Sequence, residues 1–295
     1  MTPGERGFLL LTSPLGDPRR KCLTVAQFRQ LALRMRQTEK QTDMRQMTAE
    51  DLKILGYGGS EAQRIIDLLN GEEILAHYLR RAHRQDCFVL TRISREYPQI
   101  LRSRLGLDAP GSLWYQGDIS LLDRPLISLV GSRDISPDNA VFAREAGTQA
   151  ARQGFTLVSG NARGADRIAE DACMAAGGSV ISIVAGPLTG HNCPKSRLYI
   201  SLDGFDLEFS PARALNRNRI IHALPRYTLV AQSNLGSGGT WDGTVRNLRF
   251  GWSNVCCFDD GSLSARELEQ LGAHLIHSEE LAELNALCDA PLSLL

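Results

Sequence analysis

Apolar and polar positions follow two different rhythms along the 295 residues. From 24 to 84 the rhythm is helical. TVAQFRQLALRM places Val25, Phe28, Leu31, Leu33 and Met35 at helical spacing. Thr48 opens T-A-E-D, with Asp51 three residues on, close to a capping box, and predicts a further helix. The turn Leu55-Gly56-Tyr57-Gly58-Gly59-Ser60 leads into EAQRIIDLLN, with Ser60 as the expected N-cap. From about Asp86 short apolar runs take over. CFVLTRI, SLWYQGD, RPLISLVGSR, FTLVSG, SVISIVAG, FDLEFS, YTLVAQS and NVCCFD read as strands. Helical stretches stand between the later ones: DNAVFAREAGTQAARQG, GADRIAEDACMAAGG, ARALNRNRIIHALPR and GTWDGTVRNLRFG. ARELEQLGAHLI and SEELAELNALC close the chain.

Strands alternating with helices of this length predict an α/β fold. The expected architecture is a Rossmann-like, mainly parallel sheet with helices on both faces. The near-continuous apolar strands agree, because such strands are covered on both sides. Two domains are expected: a small all-helical one over 1–85 and the α/β domain over 86–295.

Composition adds little to this and charge adds more. Hydrophobic residues make up 43% and charged residues 22%, and the formal net charge is zero. From Asp259 onward stand Asp260, Glu267, Glu269, Glu279, Glu280, Glu283 and Asp289, against the single base Arg266. The rest of the chain is correspondingly basic. Lys21, Lys40, Lys53 and Lys195 are its only lysines, so the base is almost all arginine. Arginine suits phosphates and base edges, although genome composition produces the same bias. No signal peptide and no apolar stretch of about 18–20 residues is seen, so no membrane contact is expected. Seven scattered cysteines without a C-x-x-C pair predict reduced thiols in a cytoplasm. His191 and Cys193 in HNCPK have no second pair, so no metal is expected. Cys256 and Cys257 read as core.

In an open parallel sheet, ligands bind beyond the carboxyl ends of the strands. Here those ends are Gly131-Ser132-Arg133, Ser159-Gly160-Asn161-Ala162-Arg163-Gly164, Ala185-Gly186-Pro187 and Ser233-Asn234-Leu235-Gly236-Ser237-Gly238-Gly239-Thr240. Three of the four combine glycine with Ser, Thr, Asn or Arg. Glycine lets backbone approach a ligand, and N–H groups, hydroxyls and a helix N-terminus then receive an anion. Arg133 and Arg163 add charge that tight turns do not require. The loops predict a phosphate-binding rim. There is no G-x-x-x-x-G-K-[ST], which argues against a P-loop nucleotidase. There is no G-x-G-x-x-G followed by an acid, which argues against a dinucleotide, and no cofactor is expected.

LISLVGSRDISPD, LVSGNARGAD, NRNRIIHAL and SNLGSGGTW follow one another in an order and spacing that resemble the DprA/Smf DNA-processing family. SREYPQILRSRLGLDAPGSLWYQGDISLL resembles that family's opening segment. The 24–84 region lies where members often carry a SAM-like or helix-hairpin-helix domain, in which a Gly turn meets phosphate or the helices simply pack. The resemblance implies an extended Rossmann fold that binds single-stranded DNA without catalysis. It also implies homodimers and delivery of the strand to a RecA-type recombinase. Gly131, Ser132 and Arg133 match the family's G-S-R. Ser159, Gly160, Gly164 and Asp166 match its next motif, with Arg163 in a variable slot. Arg217, Asn218 and Arg219 match R-N-R, and Ser237, Gly238, Gly239 and Thr240 match the late Gly-rich loop. These residues are the expected DNA and phosphate contacts. Asn218 would meet a base edge, a phosphate or a loop. Asp166 is expected to support the site by pairing with an arginine or capping its helix.

Some positions depart from the family. Glu170, a second supporting residue, stands where members usually have His, and Ala214 stands where many have an aromatic. Base stacking then needs Tyr227, Trp241 or another ring, although Trp241 is also expected to pack in the core. The acidic tail occupies the place of a winged-helix extension. Two other readings use the same core. A LOG-type phosphoribohydrolase would need a catalytic Glu in the late loop, which GSGGTWDGTVRN lacks; Glu170 and Asp242 are the nearest carboxylates. A nucleotide-binding sensor, for example in phage defence, would bind one mononucleotide regardless of strand length.

Overall fold

The computed structural model describes residues 1–37, 47–191, 193–202 and 204–288; Lys40 and Asp289 lie outside them. The chain divides into two compact units. The first comprises Met1–Tyr97, Gly106–Tyr115 and Leu202–Leu207. The second comprises Pro98–Leu105, Gln116–Ser201 and Glu208–Leu295.

The first unit opens with a helix that the sequence reading passed over, α1 (Pro3–Thr12). Thr2 and Glu5 form its capping box, and Phe8, Leu9, Leu10 and Leu11 are all buried. Four consecutive apolar residues cover every side of a helical turn, so the second half of this helix has to lie inside its unit. Around it stand α2 (Val25–Gln37), α3 (Ala49–Ile54), α4 (Gly59–Leu69) and α5 (Glu72–His83). Thr48 and Asp51 form the expected capping box of α3. Ser60, in contrast, lies inside α4, and the N-cap is Gly58, with no side-chain cap bond. Phe8, Phe28, Leu31, Leu52 and Ile65 meet in one core. β1 (Phe88–Thr91) pairs antiparallel with β2 (Ser112–Gly117), Phe88 opposite Tyr115 and Thr91 opposite Ser112.

FDLEFS is not a strand. Phe205 is buried against Tyr78 and Trp114, with ring centroids 4.8 and 5.7 Å away. The Tyr78 hydroxyl donates to Asp206 at 2.6 Å, and Arg81 reaches the other carboxylate oxygen at 2.9 Å. An aromatic anchor and a paired carboxylate hold this segment, so it does not join the ladder.

The second unit is α/β. After the short helix α6 (Gln99–Leu105), its strands are β3 (Leu126–Gly131), β4 (Thr156–Ser159), β5 (Ser179–Val184), β6 (Arg197–Leu202), β7 (Tyr227–Gln232), β8 (Asn254–Phe258) and β9 (His274–Ile276). They lie in the order β6-β5-β4-β3-β7-β8-β9, and every pair is parallel. Between them run α7 (Pro137–Arg152), α8 (Ala165–Ala175), α9 (Pro211–Ala223), α10 (Gly238–Phe250) and α11 (Leu263–Gln270). The sequence reading missed two strands, β6 and the short β9, which ends ARELEQLGAHLI. The residues of β6 alternate as Arg197, Leu198, Tyr199, Ile200, Ser201 and Leu202, and all are buried. Arg197 can lie inside because it meets Glu170 of α8. Cys256 and Cys257 are buried in β8.

Successive strands run outward from β3 in one direction through β4, β5 and β6. They run in the other through β7, β8 and β9. The order reverses between β3 and β7, where crossovers diverge to opposite faces and leave a crevice. The β3–β7 ladder shifts register at Val130/Gly131, which places Gly131 opposite Gln232.

Candidate nucleic-acid interface

A cleft of about 480 Å³ opens at this reversal. One wall is the end of β3, Gly131 to Asp134, and another is the loop Ser233 to Thr240 after β7. The third is α9, with Phe209 and Pro211 at its start.

Gly131 sits where the walls meet. A Cβ there would lie 2.4 Å from that of Ala165, so only glycine lets α8 start this close to β3. Gly164 has φ +85°, and an added Cβ would lie 2.4 Å from the Ser132 carbonyl oxygen. Both glycines bring the first two loops into contact. Ser132 is occupied locally, its hydroxyl donating to the Asp134 carbonyl at 3.0 Å and accepting from the Asp134 N–H at 3.2 Å. Arg133 is exposed on the rim and makes no ion pair among the described residues. Arg163, also exposed, pairs with Asp134 at 2.6 Å and is not part of the cleft wall.

The second loop turns its donors inward. The Gly160 and Ala162 N–H groups donate to the Asp166 carboxylate at 3.1 and 3.3 Å, and the Asn161 N–H donates to the Ser159 hydroxyl at 3.3 Å. Ser159 is fully buried and donates to Glu170. Burial pushes Asp166 up from an ordinary 3.8 to about 6, against the pull of the nearby Arg217 cation, with Glu170 adding to the rise. Glu170 lies deeper. It also accepts from Ser182 at 3.1 Å and pairs with the Arg197 guanidinium. Ser159, Gly160 and Glu170 thus support the cleft from below.

Arg217 and Arg219 diverge. Residues two apart on a helix point about 200° from each other. Arg217 is buried against the cleft and donates to the Gly160 carbonyl at 2.7 Å. An added Cβ on Gly160 would overlap its guanidinium, so that glycine makes room for it. Arg219 turns to a second cavity and bonds to Asn216. Asn218 lies between, its side-chain amide donating to the Gly239 carbonyl at 3.1 Å.

The late loop delivers the N-terminus of the 13-residue α10 to the cleft. Gly238 has φ +87°, and the N-cap Ser237 makes no side-chain cap bond. The Thr240 hydroxyl ties this end to the Gly131 carbonyl at 2.9 Å. The first-turn N–H groups of a helix have no partners within it and carry the positive end of its dipole. Below them, His222 is buried and held neutral. Burial and the Arg217 charge push it down to about 3. Its Nδ1 faces the Asn247 amide at 3.3 Å, which continues to Ser253 at 2.9 Å.

Two aromatic placements differ from expectation. Phe209, 56% exposed, stands in the cleft wall next to Leu215. It was missed because it stands inside FDLEFS, read as a strand. Ser210 caps α9 immediately after it, accepting from the Arg213 N–H at 3.2 Å. A ring directly before an S-P helix start was the available signal. Trp241 is half-buried in the second cavity and not in the core, whereas Tyr227 is buried in β7. His191 stacks on Tyr199 at 4.1 Å, and the Cys193 thiol faces the Gln116 carbonyl. Among the described residues no helix is long and apolar enough to cross a membrane.

The model of the family described as DNA recombination-mediator protein A matches residues 88–248. The DNA processing protein DprA of Streptococcus pneumoniae is 34% identical over 142 residues, 44% of this chain and 50% of that protein. Protein Smf of Escherichia coli is 33% identical over 153 residues, 48% and 40% of the two chains. The chain therefore spans half or less of these curated relatives. The X-ray structure of the pneumococcal DprA superposes with a TM-score of 0.59 at 26% identity, covering 88% of this chain and 98% of that one. The DNA processing protein A of Helicobacter pylori, described for its single-stranded DNA binding mode, shares the fold. Its TM-score is 0.57 at 21% identity, over 68% and 95% of the chains.

Proposed function

The chain belongs to the DNA recombination-mediator protein A family, and on that premise we propose that it is a non-enzymatic, cytoplasmic single-stranded DNA-binding protein of DNA processing. The observation that carries this reading is the make-up of the cleft at the strand-order reversal. Arg133, without an ion pair among the described residues, and the N-terminus of α10 both line it, with the exposed Phe209 ring on the third wall. Phosphate oxygens suit the guanidinium and the helix N–H groups. A base suits the ring, at about 1–3 kcal/mol for each stacked base. Phe209 supplies the aromatic that Ala214 does not. A base reaches such a ring only when it is unstacked, which selects single strands over duplex.

The carboxylates argue against glycosidic chemistry. Glu170 is fully buried and paired with Arg197, and Asp242 stands at the other cavity. Homodimerisation and delivery of the strand to a RecA-type recombinase extend the proposal, and family membership is what supports them. Cys173, Cys193 and Cys257, which form no disulfide among the described residues, suit a reducing cytoplasm.

The test is a set of parallel titrations with labelled single-stranded oligonucleotides, duplex and mononucleotides. Affinity for single strands should grow with length, and Arg133→Ala should weaken it roughly tenfold, the scale of one charge-assisted hydrogen bond. Saturable mononucleotide binding with no gain from length would instead make the protein a nucleotide sensor. An unchanged affinity in Arg133→Ala would remove the cleft from the reading.

A further inference from the structure

The R-N-R motif leaves one arginine that the main cleft does not use. Arg219 lines a separate cavity of about 310 Å³. That is at the lower end of the roughly 300–1,000 Å³ typical of ligand pockets. The cavity lies between α9 and α10. Trp241, Asp242, Val245 and Arg246 line it from α10, at the i, i+1, i+4 and i+5 positions that share one helix face. Trp241 is half-buried, and Arg246 is exposed without an ion pair among the described residues. Trp252 closes the cavity from behind, 6% exposed and stacked on Phe250 at 5.6 Å. Leu215, Asn218 and Gly239 line both this cavity and the main cleft, so the two are joined over a low saddle.

We propose that this cavity is a second nucleotide subsite, which takes the next base and phosphate of a strand already seated in the main cleft. The inference rests on the reading that the main cleft binds single-stranded DNA. An indole face with two guanidinium groups beside it is the chemistry that holds an unstacked base and its phosphate. Asp242, exposed on the rim, repels phosphate and therefore keeps the backbone on the arginine side. From there its carboxylate can accept from an exocyclic base amine. The saddle is a hydrogen-bonded joint, since Asn218 donates to the Gly239 carbonyl. A strand crossing it passes from the dipole end of α10 on to that helix's outer face. The two arginines of R-N-R then serve different ends. Arg217 shapes the main cleft from beneath, and Arg219 receives the strand as it leaves.

A ladder of oligo(dT) lengths over roughly 4–16 nucleotides, the span of common single-strand sites, tests this. The wild-type protein, Arg246→Ala, Trp241→Ala and Trp241→Phe are titrated with each length. The shortest ligands that bind should bind all four equally. Longer ones should bind both alanine variants about tenfold more weakly than wild type, Trp241→Ala for one lost stacked base and Arg246→Ala for one lost charge-assisted hydrogen bond. Trp241→Phe should restore the affinity while abolishing the quench of indole emission that long oligonucleotides cause in wild type. Equal affinity of all variants for long ligands, or equal loss at every length, would overturn the subsite and leave the main-cleft reading standing. A change in sedimentation of Trp241→Ala without a change in length dependence would make the face a contact between copies and also overturn it. Failure of wild type to bind any length would remove the main-cleft reading, and the subsite with it.

Discussion

Asp166 is a carboxylate held beneath the cleft proposed to bind DNA, and two backbone N–H groups do not offset its burial. Its pKa is raised to about 6. The folded protein therefore holds this proton more tightly than the unfolded chain. Its contribution to stability is present below about pH 4 and is lost as pH rises to about 6. Binding follows the same sign, because the neutral acid no longer repels a phosphate. Affinity for single-stranded DNA should therefore increase as pH falls through 6. Asp166→Asn should flatten both profiles over that window, as read by denaturation midpoints and oligonucleotide titration. A slope that persists in Asp166→Asn assigns the effect to another group. The neighbouring Arg217 illustrates how far a motif can be read. Its identity was legible as part of R-N-R, but its burial against the Gly160 carbonyl was not. That placement depends on a loop 57 residues away.

Elements place these residues, and the pair α8–β6 shows the energetics. Glu170 and Arg197 form a buried ion pair, with Ser159 and Ser182 donating to the same carboxylate. Charges removed from water are tolerated when they are paired and fully hydrogen-bonded, but one left alone is costly. Glu170→Ala should therefore destabilise the protein by about 3–5 kcal/mol. Glu170→Gln, which keeps a hydrogen-bond acceptor, should cost less. Chemical denaturation of both variants checks this, and a near-neutral Glu170→Ala would mean the pair is dispensable. The same pair explains why β6 escaped the sequence reading. An arginine followed by a tyrosine and a serine at alternate positions resembles a surface strand or a loop. Only its partner on α8, 27 residues earlier, makes burial of that face favourable. The βαβ rhythm from β3 to β5 was fully legible, because continuous apolar runs and glycine-bounded helices are local signals.

At the scale of the molecule the formal net charge is zero, so no bulk field draws nucleic acid to the chain. On the proposed reading, salt dependence comes from phosphates taken up at the cleft and beside α10. For about three neutralised phosphates the single-strand slope of log affinity against log salt is about −2. A slope of about −5 or steeper would mean that a much wider basic surface takes part. Titrations at several salt concentrations with one oligonucleotide length measure it. The sequence by itself determined the α/β class, the glycine-rich loops at the strand ends and the family motifs. Each of these rests on residues close together in the chain, through hydrophobic period, turn chemistry and helix caps. Only the tertiary structure decided which way each loop's donors face, that Arg217 and Arg219 serve different cavities, and that Phe209 stands open in the cleft wall. It also decided that Leu202–Leu207 belongs with the first unit. For Arg217 and for Leu202–Leu207 the physical reason is the same. Burial of a charge or a ring depends on its partner, and Gly160, Tyr78 and Trp114 lie far away in sequence.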